Sequence, residues 1–281
     1  MTATAGCACL ALSEYEKKHF SVEATTIVSD KLSRDRTIVF LSDLHNNEFG
    51  PDNRKLVDAI CRLNPDAVLC GGDMIVSKRG NRNIQIPLRL FEQLASRYPV
   101  FCGNGNHENR MMWRRDVYGS LYEEYRDALK RMGVVYLEDG SVPWGDDILI
   151  SGLDLELEYY RKALLRGLPA MGTEYLERKL GNAARFSILL AHSPMYFEDY
   201  AAWGADLTLS GHFHGGTVRI PGLGGVMTPQ YQFFLPWCAG DFERGGKHMV
   251  VSRGLGTHSI NIRLNNRPQL VVVHLKAAES V

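Results

Sequence analysis

Short apolar runs alternate with stretches of helical spacing over the first two-thirds of the chain. Thr37 to Leu41, Asp66 to Cys70, Val100 to Cys102, Phe186 to Ala191 and Leu207 to Ser210 are near-continuous β-branched and aliphatic runs. That is the pattern of strands buried on both faces. Phe20 to Val28, Val134 to Leu137 and Ile148 to Ser151 predict further strands. Between them Leu56, Val57, Ile60 and Leu63 recur at helical spacing within Pro51 to Leu63. Leu88 to Arg97 and Leu121 to Met132 read likewise, the second stopped by Gly133. Glu156 to Leu180 is polar and helical, broken around Gly167 to Gly172. From Thr217 the pattern changes to short strands with glycine-rich turns: Thr217 to Ile220, His248 to Ser252, Ile260 to Leu264 and Gln269 to Leu275. The first half therefore predicts β-α repeats with parallel pairing, and the tail predicts antiparallel pairing, within an α/β fold. Gly222 to Gly246 is a long loop candidate. With no internal repeat and no linker, residues 21–281 read as one domain after a weakly patterned, poorly ordered extension over 1–20.

Composition narrows the classes. Lysine plus arginine is 32 and aspartate plus glutamate is 32, so a chain of 281 residues carries no net formal charge. The broad positive field that drives non-specific nucleic-acid binding is missing. Six cysteines form no dense framework, and Cys61, Cys70 and Cys102 sit in apolar runs as small hydrophobes. Cys7-Ala8-Cys9 lacks the further cysteine or histidine a metal knot needs. The most apolar early stretch, Ala8 to Leu12, is far below the roughly 20 residues a spanning helix requires. The expected compartment is the reducing cytoplasm.

The chemistry falls at strand ends. Asp43-Leu44-His45, Gly71-Gly72-Asp73, Gly103-Asn104-Gly105-Asn106-His107-Glu108, His192, and Gly211-His212-Phe213-His214-Gly215-Gly216 each follow a buried run. Ligands of α/β sheets gather at the carboxyl ends of strands, so these clusters point into one crevice. The donors are hard oxygen and borderline imidazole with no thiolate, which suits manganese, iron or zinc. Any one cluster alone reads as an ordinary turn or cap. In this order and at these places the set reads as a site for two ions, bridged by a carboxylate.

The order Asp-x-His, Gly-Asp, Gly-Asn-His-Glu, His, Gly-His-x-His resembles the calcineurin-like metallophosphoesterase superfamily. Leu41 to Asn46 and Leu209 to Gly216 are similar to its bacterial YkuE-like branch, as are Val251 to Gly256, Ile262-Arg263 and Pro268. The resemblance covers about residues 20–276. It implies a four-layer α/β/β/α sandwich of two mixed sheets with a dimetal site at the strand C-terminal ends. It further implies that Asp43, His45 and His214 hold one divalent ion, that Asn106, His192 and His212 hold the other, and that Asp73 bridges them. His107 is implied as general acid. The implied activity is metal-dependent hydrolysis of a phosphoric ester, as phosphodiesterase or phosphatase, by in-line attack of a hydroxide between the ions. A nuclease or a lipid or sugar-nucleotide pyrophosphatase of the same fold is the alternative, and a non-catalytic scaffold a weaker one, since every ligand position is filled by a competent residue.

Two departures stand out. Many relatives place an aspartate three residues after the bridging one, and it orients the catalytic histidine; here Val76 stands there. Glu108 and Asp43 are the candidates to replace it. Second, the signal or anchor that precedes the first strand in several relatives is not seen here. Arg110 to Arg115 carries basic and aromatic groups beside the Asn106-His107 loop, suited to a phosphate and a ring or lipid chain, or else a solvated helix start. Lys78 and Arg79 read as solvated. Tyr231 to Trp237 is expected to pack on the sheet edge, with peripheral membrane contact as the alternative. His19, His248, His258 and His274 read as structural, His258 being near enough in sequence to the tail motif to approach the site. The expected partner is a phosphorylated small-molecule or lipid-linked substrate, with no strong nucleic-acid signal.

Overall fold

The computed structural model describes residues 2–162, 167–257 and 261–278. Residues 2–17 form a helix, α1 (Thr2–Lys17). It is tied down rather than loose: Ser13 Oγ accepts from the Arg263 amide at 3.0 Å and Glu16 accepts from the Asn266 amide at 3.0 Å, both side chains buried. Local sequence pattern could not show this, because both partners lie some 250 residues downstream.

Two six-stranded sheets carry the domain. The first contains β1 (Ser21–Ser29), β2 (Arg36–Leu41), β3 (Ala67–Cys70), β4 (Val100–Gly103), β5 (Val135–Leu137) and β14 (Gln269–Ala277), in the order β1-β14-β2-β3-β4-β5. The second contains β6 (Gly140–Trp144), β7 (Ile148–Leu153), β8 (Phe186–Ala191), β9 (Leu207–Ser210), β12 (Gly240–Arg244) and β13 (Lys247–Val251), in the order β12-β13-β9-β8-β7-β6. A small ribbon, β10 (Arg219–Ile220) with β11 (Gly224–Gly225), stands apart.

Alternation along the central strands builds the layers. Ile38 and Phe40 of β2 face Ile150, Ile188 and Leu209 of the second sheet in one apolar layer. Val39 and Leu41 point the other way, onto α2 (Arg54–Leu63), α3 (Gln85–Ala95), α4 (Asn106–Trp113) and, after the single turn α5 (Arg115–Tyr118), α6 (Leu121–Arg131). Leu189 and Ala191 of β8 face α7 (Thr173–Leu180) and α8 (Phe197–Trp203). Both faces of each sheet are covered, which gives the expected four layers.

The tail meets its expectation in part: β12 pairs β13 and β14 pairs β2 antiparallel, but β13 runs parallel to β9 and β14 parallel to β1. The strand expected over Thr217 to Ile220 shrinks to the two residues of β10. Ile260 and His258 lie outside the described residues. Of the rest of the segment expected to follow Ile260, Leu264 makes one bridge to Val218, and the backbone around it is held instead by the Arg263 side chain. The strands β6 and β12 were not anticipated. Both are edge strands, and β6 carries Pro143, which an edge tolerates and a buried strand does not. Among the described residues no helix is long and apolar enough to cross a membrane. The six cysteines are free.

Candidate metal centre

The loops after β2, β3, β4, β8 and β9 open at the same ends of the two sheets and meet. Backbone bonds stitch them: the Asp43 amide donates to Gly72 O at 2.9 Å, the His45 amide to Asp73 O at 3.1 Å, and the Gly211 amide to His192 O at 3.1 Å. The loop after β13 joins them, its Gly256 amide donating to Asp43 O at 2.6 Å. Asp43, His45, Asp73, His212 and His214 all have φ between 48° and 68°. L-residues avoid that region at a cost of about 1–2 kcal/mol each, so the surrounding bonds must hold these side chains inward against local preference. Glycine lets the loops approach: a Cβ on Gly105 would land on the Asp73 carboxylate, and one on Gly211 on the Asp43 carboxylate.

The structure brings the seven sequence-predicted ligands and His107 together. Asp43, His45 and His214 can aim one donor atom each at a common point, and so can Asp73, His192 and His212. His192 Nε2 lies 3.2 Å from Asp73 Oδ2, His45 Nε2 3.8 Å from it, and His214 Nε2 3.4 Å from Asp43 Oδ1. His45 Nε2 and His214 Nε2 are 3.1 Å apart, their rings stacked. His45, Asp73 and His107 form a third such group. The Asn106 Oδ1 and His212 Nε2 atoms are buried without a hydrogen-bond partner in the protein. Such atoms cost about 1–3 kcal/mol each unless something meets them. Acceptors crowded in this way fit divalent cations, and the carboxylate, imidazole and amide mixture suits manganese, iron or zinc.

Outer hydrogen bonds fix how three of the rings, those of His45, His107 and His192, face the centre. His192 Nδ1 lies 2.7 Å from Gly71 O, and His45 Nδ1 3.3 Å from Ile75 O. A carbonyl only accepts, so Nδ1 carries a proton and Nε2 is the nitrogen that faces inward, free to offer a lone pair once it is deprotonated. His107 is reversed. The Ser77 backbone amide donates to its Nδ1 at 2.8 Å, so the neutral ring carries its proton on Nε2, 4.0 Å from Asp73 Oδ2. Ser77 Oγ sits 2.9 Å from the same Nδ1 and accepts from Arg110 at 3.2 Å. Ser77 therefore fills the place left by Val76. Sequence gave no sign of it, because the decisive donor is a backbone amide.

Glu108 and Asp43, the candidates for that task, do other things. Glu108 accepts from the amides of Asp73 at 2.8 Å, Met74 at 2.9 Å and Gly105 at 3.0 Å, clamping the bridging loop to the start of α4. Asp73 Oδ1 answers by accepting the His107 amide at 2.7 Å, at the positive end of that helix. Asp43 accepts the His212 amide at 3.1 Å. Burial and the Asp73 charge push Glu108 up to about 7, and burial pushes Asp43 up to about 6. Burial alone would raise Asp73 too, yet the facing His192 and His107 hold it well below the carboxylate range. His192 moves up to about 10, because Asp73 and Asp43 outweigh its burial. Perturbations concentrated this way mark functional sites.

A pocket of about 180 Å³ opens over the centre, walled by Arg110, Tyr160, Lys162, Pro229 and Gln230. The three from Tyr160, Lys162 and Gln230 were not anticipated, since a polar stretch and a long loop deliver them from distant parts of the chain. Of the basic run after His107, Arg110 reaches the pocket, Met111 is core, Trp113 is exposed, and Arg114 and Arg115 pair with Asp116 and Glu123 at the surface. Lys78 and Arg79 are exposed. The expectation that Tyr231 to Trp237 packs on the sheet edge is corrected: Phe233 is 57% and Phe234 54% exposed, with Tyr231 and Trp237 also open. Turn bonds within the loop, such as the Tyr231 amide to Thr228 O, hold it without burying those rings.

Ser77→Ala keeps the backbone donor and loses the hydroxyl. Two hydrogen bonds are at stake, one to the His107 ring and one from the charged Arg110, about 1.5–3 kcal/mol together, so turnover should fall roughly ten- to a hundredfold. Steady-state kinetics beside a metal titration will separate this from loss of ions, which should stay bound.

A sequence profile described as calcineurin-like phosphoesterase matches residues 36–216. An uncharacterized metallophosphoesterase of Bacillus subtilis (strain 168), YkuE, is 28% identical over 250 residues, covering 85% of this chain and 79% of that protein. An uncharacterized metallophosphoesterase of Aquifex aeolicus (strain VF5) is 28% identical over 280 residues, covering 95% of each. Phosphodiesterase YaeI of Escherichia coli (strain K12) is 27% identical over 241 residues, covering 85% of this chain and 81% of that one.

Proposed function

Because the chain belongs to the calcineurin-like phosphoesterase family and is thereby a phosphoester hydrolase, we propose that it is a two-metal phosphodiesterase with His107 as its proton donor. The observation that carries this reading is the opposed use of the rings: His45 and His192 spend Nδ1 on a backbone carbonyl and leave Nε2 for an ion, while His107 accepts at Nδ1 and keeps its N–H on Nε2. Ligands need the first arrangement and a general acid needs the second.

On this reading Asp43, His45 and His214 hold one divalent ion, Asn106, His192 and His212 the other, and Asp73 serves both. Bound ions of this kind supply an activated water and neutralise charge on the phosphoryl oxygens. The chain's own residues do the rest. Arg110, steadied by Ser77 Oγ, pairs with a phosphoryl oxygen. Lys162 lines the same pocket. His107 passes its Nε2 proton to the ester oxygen as it leaves, and Ser77 keeps the ring from turning. Asn106 contributes a neutral oxygen, which spares an anionic substrate a further negative charge. The preference for diesters draws support from the printed name of the Escherichia coli relative. The zero net charge supports a small or lipid-linked substrate over nucleic acid.

The test is hydrolysis of bis-p-nitrophenyl phosphate and p-nitrophenyl phosphate by protein stripped of metal and then given Mn²⁺, Zn²⁺ or Fe²⁺. Restored turnover with the diester favoured is the expected result. A higher rate on the monoester would reverse the diester assignment, and no turnover with any ion would remove the catalytic reading. His107→Ala should lose about 10²–10⁴-fold on an alkyl leaving group but much less on p-nitrophenol, which departs without a proton. Equal losses on both would remove His107 from the general-acid role.

A further inference from the structure

A second cavity, of about 170 Å³, adjoins the catalytic pocket. Lys162, His214 and Pro229 line both, so the two spaces share a wall. Met227, Ile262 and the Tyr231 ring give the second its apolar wall, with Thr217, Thr228 and Thr257 around them. The Arg263 guanidinium at its edge is already taken up by backbone carbonyls, with bonds of 2.6 Å to Gly256 O and 2.8 Å to Arg253 O. Lys162 is different. Its Nζ sits 4.2 Å from the centre of the Tyr231 ring and 3.1 Å from the Tyr231 hydroxyl. Among the described residues no carboxylate lies within ion-pairing distance of it. A cation thus stands at the boundary between the candidate metal centre and a cavity with an apolar wall.

Resting on the phosphodiesterase reading, we propose that the substrate is an amphipathic phosphodiester whose apolar arm enters this second cavity. The phosphate lies between Arg110 and Lys162, and the chain or ring beyond it passes Lys162 to reach Met227 and Ile262. Size agrees: a dry cavity of about 150 Å³ takes a benzene ring, so this one holds one ring or the first several carbons of a chain. The loop that supplies Met227, Pro229 and Tyr231 also carries the exposed Phe233 and Phe234, and Leu223 on the neighbouring turn is 67% exposed. Exposed apolar groups in such number on one loop mark a surface that meets apolar matter. An arm longer than the cavity leaves it beside these side chains.

Alkyl p-nitrophenyl phosphodiesters from methyl to octyl, given to the Mn²⁺-loaded protein, test this. Each added methylene should raise kcat/KM by about two- to fourfold until the cavity is filled, the factor that apolar burial provides. Met227→Trp should cut the octyl-to-methyl ratio by about tenfold or more. Calorimetry on the metal-free protein gives an independent reading: octyl phosphate should bind more tightly than methyl phosphate, with a negative heat-capacity change. Hydrolysis at one rate for every chain length overturns the proposal and leaves the hydrolase intact. Hydrolysis of none overturns the parent reading, and calorimetry then decides the cavity alone, equal binding of the two phosphates removing it. The series on the unaltered protein decides even if the tryptophan variant fails to fold.

Discussion

Asp73→Asn should leave the protein folded and, on the proposed two-metal reading, reduce hydrolysis by about 10³-fold or more, since a carboxylate shared by both ions would underlie several kcal/mol of charge stabilisation at the reacting phosphate. Asparagine has the same shape, and its oxygen can still accept the His107 amide that Asp73 Oδ1 receives at 2.7 Å. The clamp from Glu108 acts on backbone amides and does not depend on the substituted group. The charge is lost, together with the second oxygen. His192 Nε2, 3.2 Å from Asp73 Oδ2, then faces an amide, and two ions would lose their common anion. Metal analysis after gel filtration should find fewer than two ions per chain. Circular dichroism should match the parent. Two ions retained with near-parent turnover would refute the bridging role.

This residue was legible in the sequence, and the reason is physical. A parallel strand buried on both faces writes itself as an unbroken apolar run, so the first polar residue after it marks a sheet edge. Asp43, Asp73, Asn106, His192 and His212 each follow such a run within a few positions. The parallel α/β pairing followed from the same runs, and the four layers only from the resemblance. What failed to show was anything set by backbone groups or by distant packing. Ser77 orients His107 mainly through an amide, which no side chain announces. Edge strands such as β12 are polar and short, with no buried face to pattern them. The ribbon and loop over residues 217–237 are shaped by turns, and their exposed rings look from sequence like packing material. Arg263 belongs to the tail motif, but a lone arginine in a polar tail gives no sign of being buried.

Replacing Arg263 by leucine should destabilise the fold by about 3–5 kcal/mol, the range for breaking a buried charged group's contacts. Two effects oppose each other. The side chain is 1% exposed, and burial pulls the guanidinium down to about 10, so removing it relieves a desolvation cost. At neutral pH it remains charged, however, with the Asp43 carboxylate favouring that state. Its fork donates to Asn266 O at 3.0 Å, Arg253 O at 2.8 Å, Gly254 O at 3.2 Å and Gly256 O at 2.6 Å. Leucine supplies no donor to any of them. Nη2 shares its two N–H groups among three of these carbonyls, yet at about 1.5–3 kcal/mol for each hydrogen bond from a charged group the set outweighs the relief. Lysine should recover only part, since a point charge cannot span carbonyls arranged for a planar fork. For a chain of this length about 2–4 °C of Tm accompanies each kcal/mol, so leucine should lower Tm by roughly 10 °C. The loss should also reach the metal centre, because Gly254 packs against Asp43 and His214, and Gly256 bonds Asp43 directly. Thermal melts of the two variants, with and without Mn²⁺, provide the check. A leucine variant as stable as the parent would mean that desolvation, and not the four carbonyls, governs this residue.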